Sequence, residues 1–388
     1  MHPHARRNSR RGNPQHLSRK IGYPLRHTHL RMATGIQHHI SKFRSGVFSL
    51  TLEKNMALTI CPWKYNKTWV YSITYDEALV DLHQFAIPIH EEYGIPGHVE
   101  VVVGQLGETR NIGNSSYNGY RHMNADELKD LLARGWGIGN HSYSHELIQP
   151  DMVDLEIGRA KDVLEAAIDA PVDLYCAPGN NANMSDHVLD ACRKHGYLGA
   201  MSLTDALNRP NTPLFWINRT ALHEQYYAPF FSEYDPFRNI RHAQAQNGWI
   251  IDYCHCPLEK PIHPNKDCSH PQLRKRFETI LTEGGDKVWC AVPEEVLFYH
   301  QTRRHTQIEI LSDTQTQKHY RLHLNNLSDR VTCRTLTLCA DVPAPWCRYP
   351  NVWIDGQPHL AHLTEPRKLQ ITVTVTDGME LVFQDPSA

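Results

Sequence analysis

The chain has 388 residues, 40% of them apolar and 21% charged, with a formal net charge of −2, which is a globular composition with room for a large core and more than one domain. The charge is unevenly held: residues 1–50 carry ten Lys or Arg and no acid, so the remainder holds 30 basic against 42 acidic residues. That balance argues against a basic nucleic-acid-binding body, and neither a secretory apolar segment nor a run of about 18 apolar residues suggests export or a membrane span.

In chain order, the leader over 1–55 is rich in His, Ser, Asn and Pro with little apolar periodicity, and it reads as disordered. It is either an over-extended reading frame ahead of Met56, or an organellar transit segment or nucleic-acid arm. Residues 69–74 read as a strand running into Tyr75-Asp76-Glu77. Two adjacent carboxylates at a strand end are costly unless something positive lies beside them. Glu77 alone would equally suit the first turn of a following helix, where the dipole favours an acid.

A helix is expected over 78–93, closed by Gly94, then a strand over 99–103. Asn124-Ala125-Asp126-Glu127 is a capping box opening a helix that ends at Gly135. Strand 136–139 leads to His141-Ser142-Tyr143-Ser144-His145. On a helical turn two imidazoles four residues apart share a face and can reach one ion. The chain contains 26 His, so this spacing alone is a weak signal.

Further elements are a helix near 151–168, strand 172–175, helix 186–195, strands 197–203, 215–220 and 249–254, helix 271–283, strand 287–291, and a last helix from Pro293 to about 303. Seven or eight βα units in this span predict an α/β architecture, a (β/α) barrel or a distorted version of one, over 56–304. From 305 to 388 short strands broken by Asp, Gly and Pro predict an all-β, sandwich-like module.

Ten Cys are scattered without a CxxC, so free thiols in a reducing, cytoplasmic setting are expected. Cys254-His255-Cys256 with His263, Cys268 and His270 could form a structural zinc site. The spacing fits no common finger or ribbon, and a Pro-rich loop is the plainer reading.

In a barrel the loops after the strands share one face. Asp76 and Glu77, His141 and His145, Cys176-Ala177-Pro178-Gly179, Asp205 and His255 all follow strands and could converge there. Residues 69–303 resemble the polysaccharide deacetylases of the NodB-homology type. Thr74-Tyr75-Asp76-Glu77 matches that family's Thr-Phe-Asp-Asp stretch, and 141–145 its His-Ser/Thr-x-x-His motif within a similar segment, 128–145. Cys176-Ala177-Pro178-Gly179 stands in the place of Arg-x-Pro-x, and 248–255 is similar to the final strand bearing the catalytic histidine.

The resemblance implies a metal-dependent hydrolase removing an acetyl group, N- or O-linked, from an acetylated carbohydrate. Glu77, His141 and His145 would hold a divalent ion, Zn2+ first and Co2+, Ni2+ or Mn2+ as alternatives. Asp76 would be the general base and His255 the acid, with Gly179 and Arg219 toward the substrate. Two departures matter. Glu77 is one methylene longer than the usual Asp, and Cys176 replaces the Arg that pairs with the catalytic Asp. Without a cation the pKa of Asp76 should rise; Arg219 is the candidate replacement, or else a surface Arg, and Asp205 is a candidate partner for His255. An amidohydrolase acting on a small non-sugar amide or imide, and an inactive glycan-binding barrel, are the alternatives.

Overall fold

The computed structural model describes residues 56–111, 113–225, 233–346 and 349–387. The leader 1–55 lies outside them.

The centre of the molecule is β2 (Trp69–Asp76), buried at all eight residues. Its alternation sets the architecture. Trp69, Tyr71, Ile73 and Tyr75 enter the core packed under the helices, whereas Val70 joins the second core, on the opposite side of the sheet. With a side-chain period of two, Ser72, Thr74 and Asp76 share the inner side with Val70.

Parallel strands β3 (His98–Val101), β4 (Gly137–Asn140), β5 (Leu174–Cys176) and β6 (Gly199–Met201) extend the sheet on one side of β2. On the other lie β8 (Trp249–Cys254) and β7 (Thr220–Ala221), and β9 (Val288–Cys290) also pairs β2. The result is a curled, distorted barrel whose two edges touch through one bridge, Met201 with Ile217. The strand expected over 215–220 is reduced to that bridge and β7. Asn208 explains this locally: its side chain accepts from the Asn218 N–H at 2.8 Å and donates to the Asn218 carbonyl at 2.8 Å, taking the place of strand pairing.

The helix expected over 78–93 is two short helices, α1 (Leu82–Phe85) and α2 (Ile87–Tyr93), because Pro88 lacks an N–H and sits at the start of the second. Gly94 closes it at φ 63°, the left-handed cap. The capping box of α3 (Ala125–Ala133) forms reciprocally, Glu127 N–H to Asn124 at 3.0 Å and Asn124 N–H to Glu127 at 2.9 Å. The segment expected as one helix over 151–168 begins with a π-helical turn, Asp154–Arg159, before α4 (Ala160–Ile168). The outer layer is completed by α5 (Asp186–Lys194), α6 (Ile240–Gln246), α7 (His270–Gly284) and α8 (Pro293–His305).

Beyond α8 come β10 (Thr306–Asp313), β11 (Gln317–Leu324), β12 (Thr335–Asp341), β13 (Asn351–Ile354), β14 (Gln357–Pro358), β15 (His362–Glu365), β16 (Lys368–Thr374) and β17 (Glu380–Gln384). With β1 (Leu58–Ile60) they form two antiparallel sheets, one ordered β10-β11-β17-β13-β14 and the other β1-β12-β16-β15. The edge strand β1 thus precedes the barrel in sequence yet belongs to a sheet of the C-terminal module, pairing β12 from Leu58 with Ala340 to Ile60 with Leu338. Leu336, Leu338, Ile371 and Phe383 of the module share a core with Val70, Trp249 and Ile251 of the barrel.

Candidate active site

Asp76 ends β2 on the inner side of the barrel and is 3% exposed. Arg219 meets it there. The guanidinium donates to Oδ1 at 2.6 Å and to Oδ2 at 3.3 Å, to the Thr74 hydroxyl at 3.1 Å and to the Ser202 carbonyl at 3.3 Å. Arg219 and the bridged Ile217 have the same parity, so the alternation that buries Ile217 also turns Arg219 inward. The Tyr253 ring lies 4.5 Å from the guanidinium carbon. Burial pushes the Asp76 carboxyl up, but Arg219 and then His141 outweigh it and hold it well below the usual carboxylate range. The rise expected from the loss of an Arg at 176 is therefore absent. Cys176 is fully buried, with its sulfur 3.9 Å from Asp76 Oδ1.

The two motif histidines do not lie on a helix. They occupy an irregular loop after β4, with Ser142 at φ 68° and His145 at φ 64°. Glu156, from the π-helical turn, replaces the missing helical hydrogen bonds. Its carboxylate accepts the backbone N–H of Tyr143 and of Ser144, both at 2.9 Å, and the Ser144 hydroxyl at 2.7 Å. Asn183 ties the same loop to the segment after β5, accepting from Ile148 N–H at 2.8 Å and donating to the Glu146 and Pro178 carbonyls at 3.0 and 2.9 Å. The imidazole centroids end 5.1 Å apart.

Glu77 is 2% exposed and sits at φ 79°, followed by Ala78 at φ 49°. Non-glycine residues in this region are strained, and such strain concentrates at functional sites. Oε1 of Glu77 lies 3.2 Å from His145 Nε2, while Oε2 pairs with the buried Arg110. Ligand atoms of Glu77, His141 and His145 lie within 4.8 Å of one another.

This donor set suits a divalent first-row ion. His141 Nδ1 lies 3.0 Å from the Cys176 carbonyl, which fixes Nδ1 as the protonated nitrogen and leaves Nε2 as the free lone pair. Burial pushes His141 down to about 4 and His145 well below the ordinary range, so both rings are neutral, the form a metal requires. A second group, Asp76, His141 and Cys176, is comparably close. Among the described residues Cys254, Cys256 and Cys268 do not assemble with His255, His263 or His270 into such a group; all three thiols are buried.

His255 follows β8. Its ring stacks on Tyr117, centroids 4.7 Å apart and 18° from parallel. Asp267 Oδ1 accepts the His255 N–H at 2.6 Å and the Cys256 N–H at 3.0 Å, and lies 3.6 Å from His255 Nδ1. Tyr117 donates its hydroxyl to the other oxygen of Asp267. Asp205, the expected partner, pairs with Arg238 instead.

Asp76, Glu77, His141, His145, Gly179 and His255 line one cavity of about 340 Å³. Gly179 sits there at φ 68° with open space where a Cβ would be. Arg219 does not line the cavity. It is wholly buried behind Asp76, so its expected place against substrate is corrected to one against the carboxylate. Arg110, Tyr117, His223, Tyr253 and Lys266 also line the cavity and were not singled out by the sequence. None carries a local motif, and Arg110 and Tyr117 arrive on the long loop between β3 and α3.

Residues 65–200 match the family model described as polysaccharide deacetylase. No curated protein matches this chain. Among solved structures, the Streptococcus pyogenes deacetylase PplD, in complex with acetate, is 18% identical with a TM-score of 0.33, over 38% of this chain and 62% of its own. IcaB from Ammonifex degensii is 18% identical with a TM-score of 0.34, over 38% and 65%. BA3943, a pseudoenzyme of the CE4 family from Bacillus anthracis, is 15% identical with a TM-score of 0.36, over 60% and 66%. The match thus spans under two thirds of the length of the first two, and likenesses this slight do not bear on the reaction. The family model thus covers the first part of the barrel, and the Asp76-Glu77 and His141/His145 motifs both lie inside its span.

Proposed function

We propose that this protein is a metal-dependent hydrolase that removes acetyl groups from a carbohydrate. The observation that carries the reading is the convergence of Asp76, Glu77, His141, His145 and His255 on one cavity from three separate strand ends. Glu77, His141 and His145 are the residues that would hold the ion. When bound, a divalent ion supplies Lewis acidity toward the acyl oxygen and lowers the pKa of water beside it.

The chain's own groups do the rest. Asp76 is kept ionised by Arg219, so it stands ready to accept a proton from the attacking water. His255, oriented by Asp267 and Tyr117, stands as the group that protonates the departing amine or alkoxide. The open space at Gly179 lets backbone approach the reacting acyl group. Arg110 balances the charge of Glu77 on the side away from His145.

The test pairs metal analysis with acetate release. The purified full chain is expected to carry about one divalent ion and to free acetate from N-acetylated oligosaccharides, whereas His141→Ala loses both. A metal-replete protein that frees no acetate from N- or O-acetylated sugars would overturn the reading.

A further inference from the structure

Cys61 and Cys339 do not line the cavity and play no part in the chemistry above. They are 278 residues apart in sequence, yet their sulfurs are 2.7 Å apart. Cys61 follows β1 directly, and its N–H continues the pairing with β12 by donating to the Thr337 carbonyl at 2.8 Å. Thr59 pairs with Cys339, so Cys61 and Cys339 are diagonal neighbours on one face of this antiparallel pair. The backbone on both sides is held in place: the Tyr299 hydroxyl of α8 donates to the Cys61 carbonyl at 2.8 Å, and β12 is paired along its length with β16. Two thiols facing each other on ordered strands need little rearrangement to become a disulfide.

We propose that Cys61 and Cys339 form an oxidisable pair that closes into a disulfide between β1 and β12, fastening the strand that leads into the barrel to the C-terminal module. Cys339 is the half-buried, reachable thiol, and Cys61 is only 3% exposed. The hydrogen bond with Cys61 lowers the Cys339 pKa, burial opposes it and the Lys368 ammonium adds to the lowering, and together with its greater exposure this favours Cys339 as the first nucleophile.

The oxidant is a small-molecule disulfide such as oxidised glutathione. The Cys339 thiolate attacks one of its sulfurs, expels one glutathione thiolate and leaves a mixed disulfide. The Cys61 thiolate then attacks the Cys339 sulfur, expels the second glutathione thiolate and closes the bond. Two protein thiols are oxidised, one glutathione disulfide is reduced, and the two thiol protons pass to the two departing glutathiones. The default expectation of free thiols throughout therefore changes at this one pair wherever such an oxidant prevails.

The experiment treats the full chain with oxidised glutathione, blocks remaining thiols by alkylation and maps peptides without reduction. The expected result is a peptide joining Cys61 to Cys339, an intact mass lower by about 2 Da, and a thermal midpoint raised by about 5–10 °C that dithiothreitol reverses. Cys61→Ser and Cys339→Ser each abolish the link and the shift, whereas Cys333→Ser, at an exposed cysteine of the same module, keeps both. Alkylation of both Cys61 and Cys339 after oxidation, or links that join only other cysteines, would overturn the proposal. A link without the thermal shift would overturn its fastening role.

Discussion

Arg219 holds Asp76 from 143 residues further along the chain, with both carboxylate oxygens engaged and both residues buried. This cation takes the place left by Cys176 and changes what the pair of acids after β2 can do. One carboxylate is committed to a guanidinium behind it, and the other turns through left-handed backbone toward two imidazoles.

Removing Arg219 should expose that dependence. Arg219→Met leaves a buried carboxylate unpaired, which is expected to destabilise the fold by about 3–5 kcal/mol. In the molecules that remain folded the Asp76 pKa rises, so the acid limb of the kcat/KM profile moves to higher pH. A pH–rate profile with an unmoved acid limb would dissociate Arg219 from the ionisation of Asp76.

Asp76→Asn keeps the shape of the site and removes the proton acceptor. The expected outcome is retained metal, by elemental analysis, with kcat lower by about 10²–10⁴. Turnover near the wild-type value would remove Asp76 from the role of base.

Asp267 and Tyr117 orient His255 and line or back the cavity without a place in the recognised motifs. Asp267→Asn retains an oxygen able to accept the His255 N–H but loses the charge beside the ring, and kcat should fall while metal content stays unchanged. Equal losses of metal and activity would instead indicate general disruption.

A buried row inside the sheet sets a pH dependence of stability. His98 lies between Glu100, 2.9 Å from Nδ1, and Glu294, 2.7 Å from Nε2. Burial disfavours the imidazolium, but Glu294 and Glu100 outweigh it and push His98 up to about 10. A raised folded-state pKa means that this contribution is complete below the unfolded value of about 6.5 and is lost as pH rises toward 10. The thermal midpoint of the wild type should therefore fall more steeply from pH 7 to 10 than that of His98→Gln. Parallel curves would show that His98 does not carry the charge.

The same row explains a glycine. A Cβ on Gly139 would lie 2.1 Å from Glu100 Oε2 and 2.9 Å from the His98 ring. Gly139→Ala should destabilise the protein by about 1–3 kcal/mol in chemical denaturation, with an unchanged dependence on denaturant concentration if the compact state is kept.

Much of this arrangement was legible in the chain. Strand-helix alternation and the capping box at Asn124 follow from local periodicity and turn chemistry, which act over a few residues. Period two along 69–76 turns Asp76 inward, and its position at a strand end, shared with His141 and His255, was enough to gather them on one face. Local rules failed where a few side chains override the backbone: Glu156 holds the histidine loop out of a helix, and Asn208 replaces most of a strand.

What only the tertiary structure decided is which charge meets which. A buried carboxylate needs a cation, and with Cys at 176 the sequence offered Arg219 as the replacement or else as a surface Arg; only the fold brings it against Asp76. Likewise His255 takes Asp267 rather than Asp205, and Glu77 takes Arg110. Sequence determined the residue types and the face they occupy, because those depend on neighbours a few positions away. The partners were settled by the curl of the sheet, because Coulomb attraction acts over distance in space and desolvation rewards only the pair that folding brings into contact.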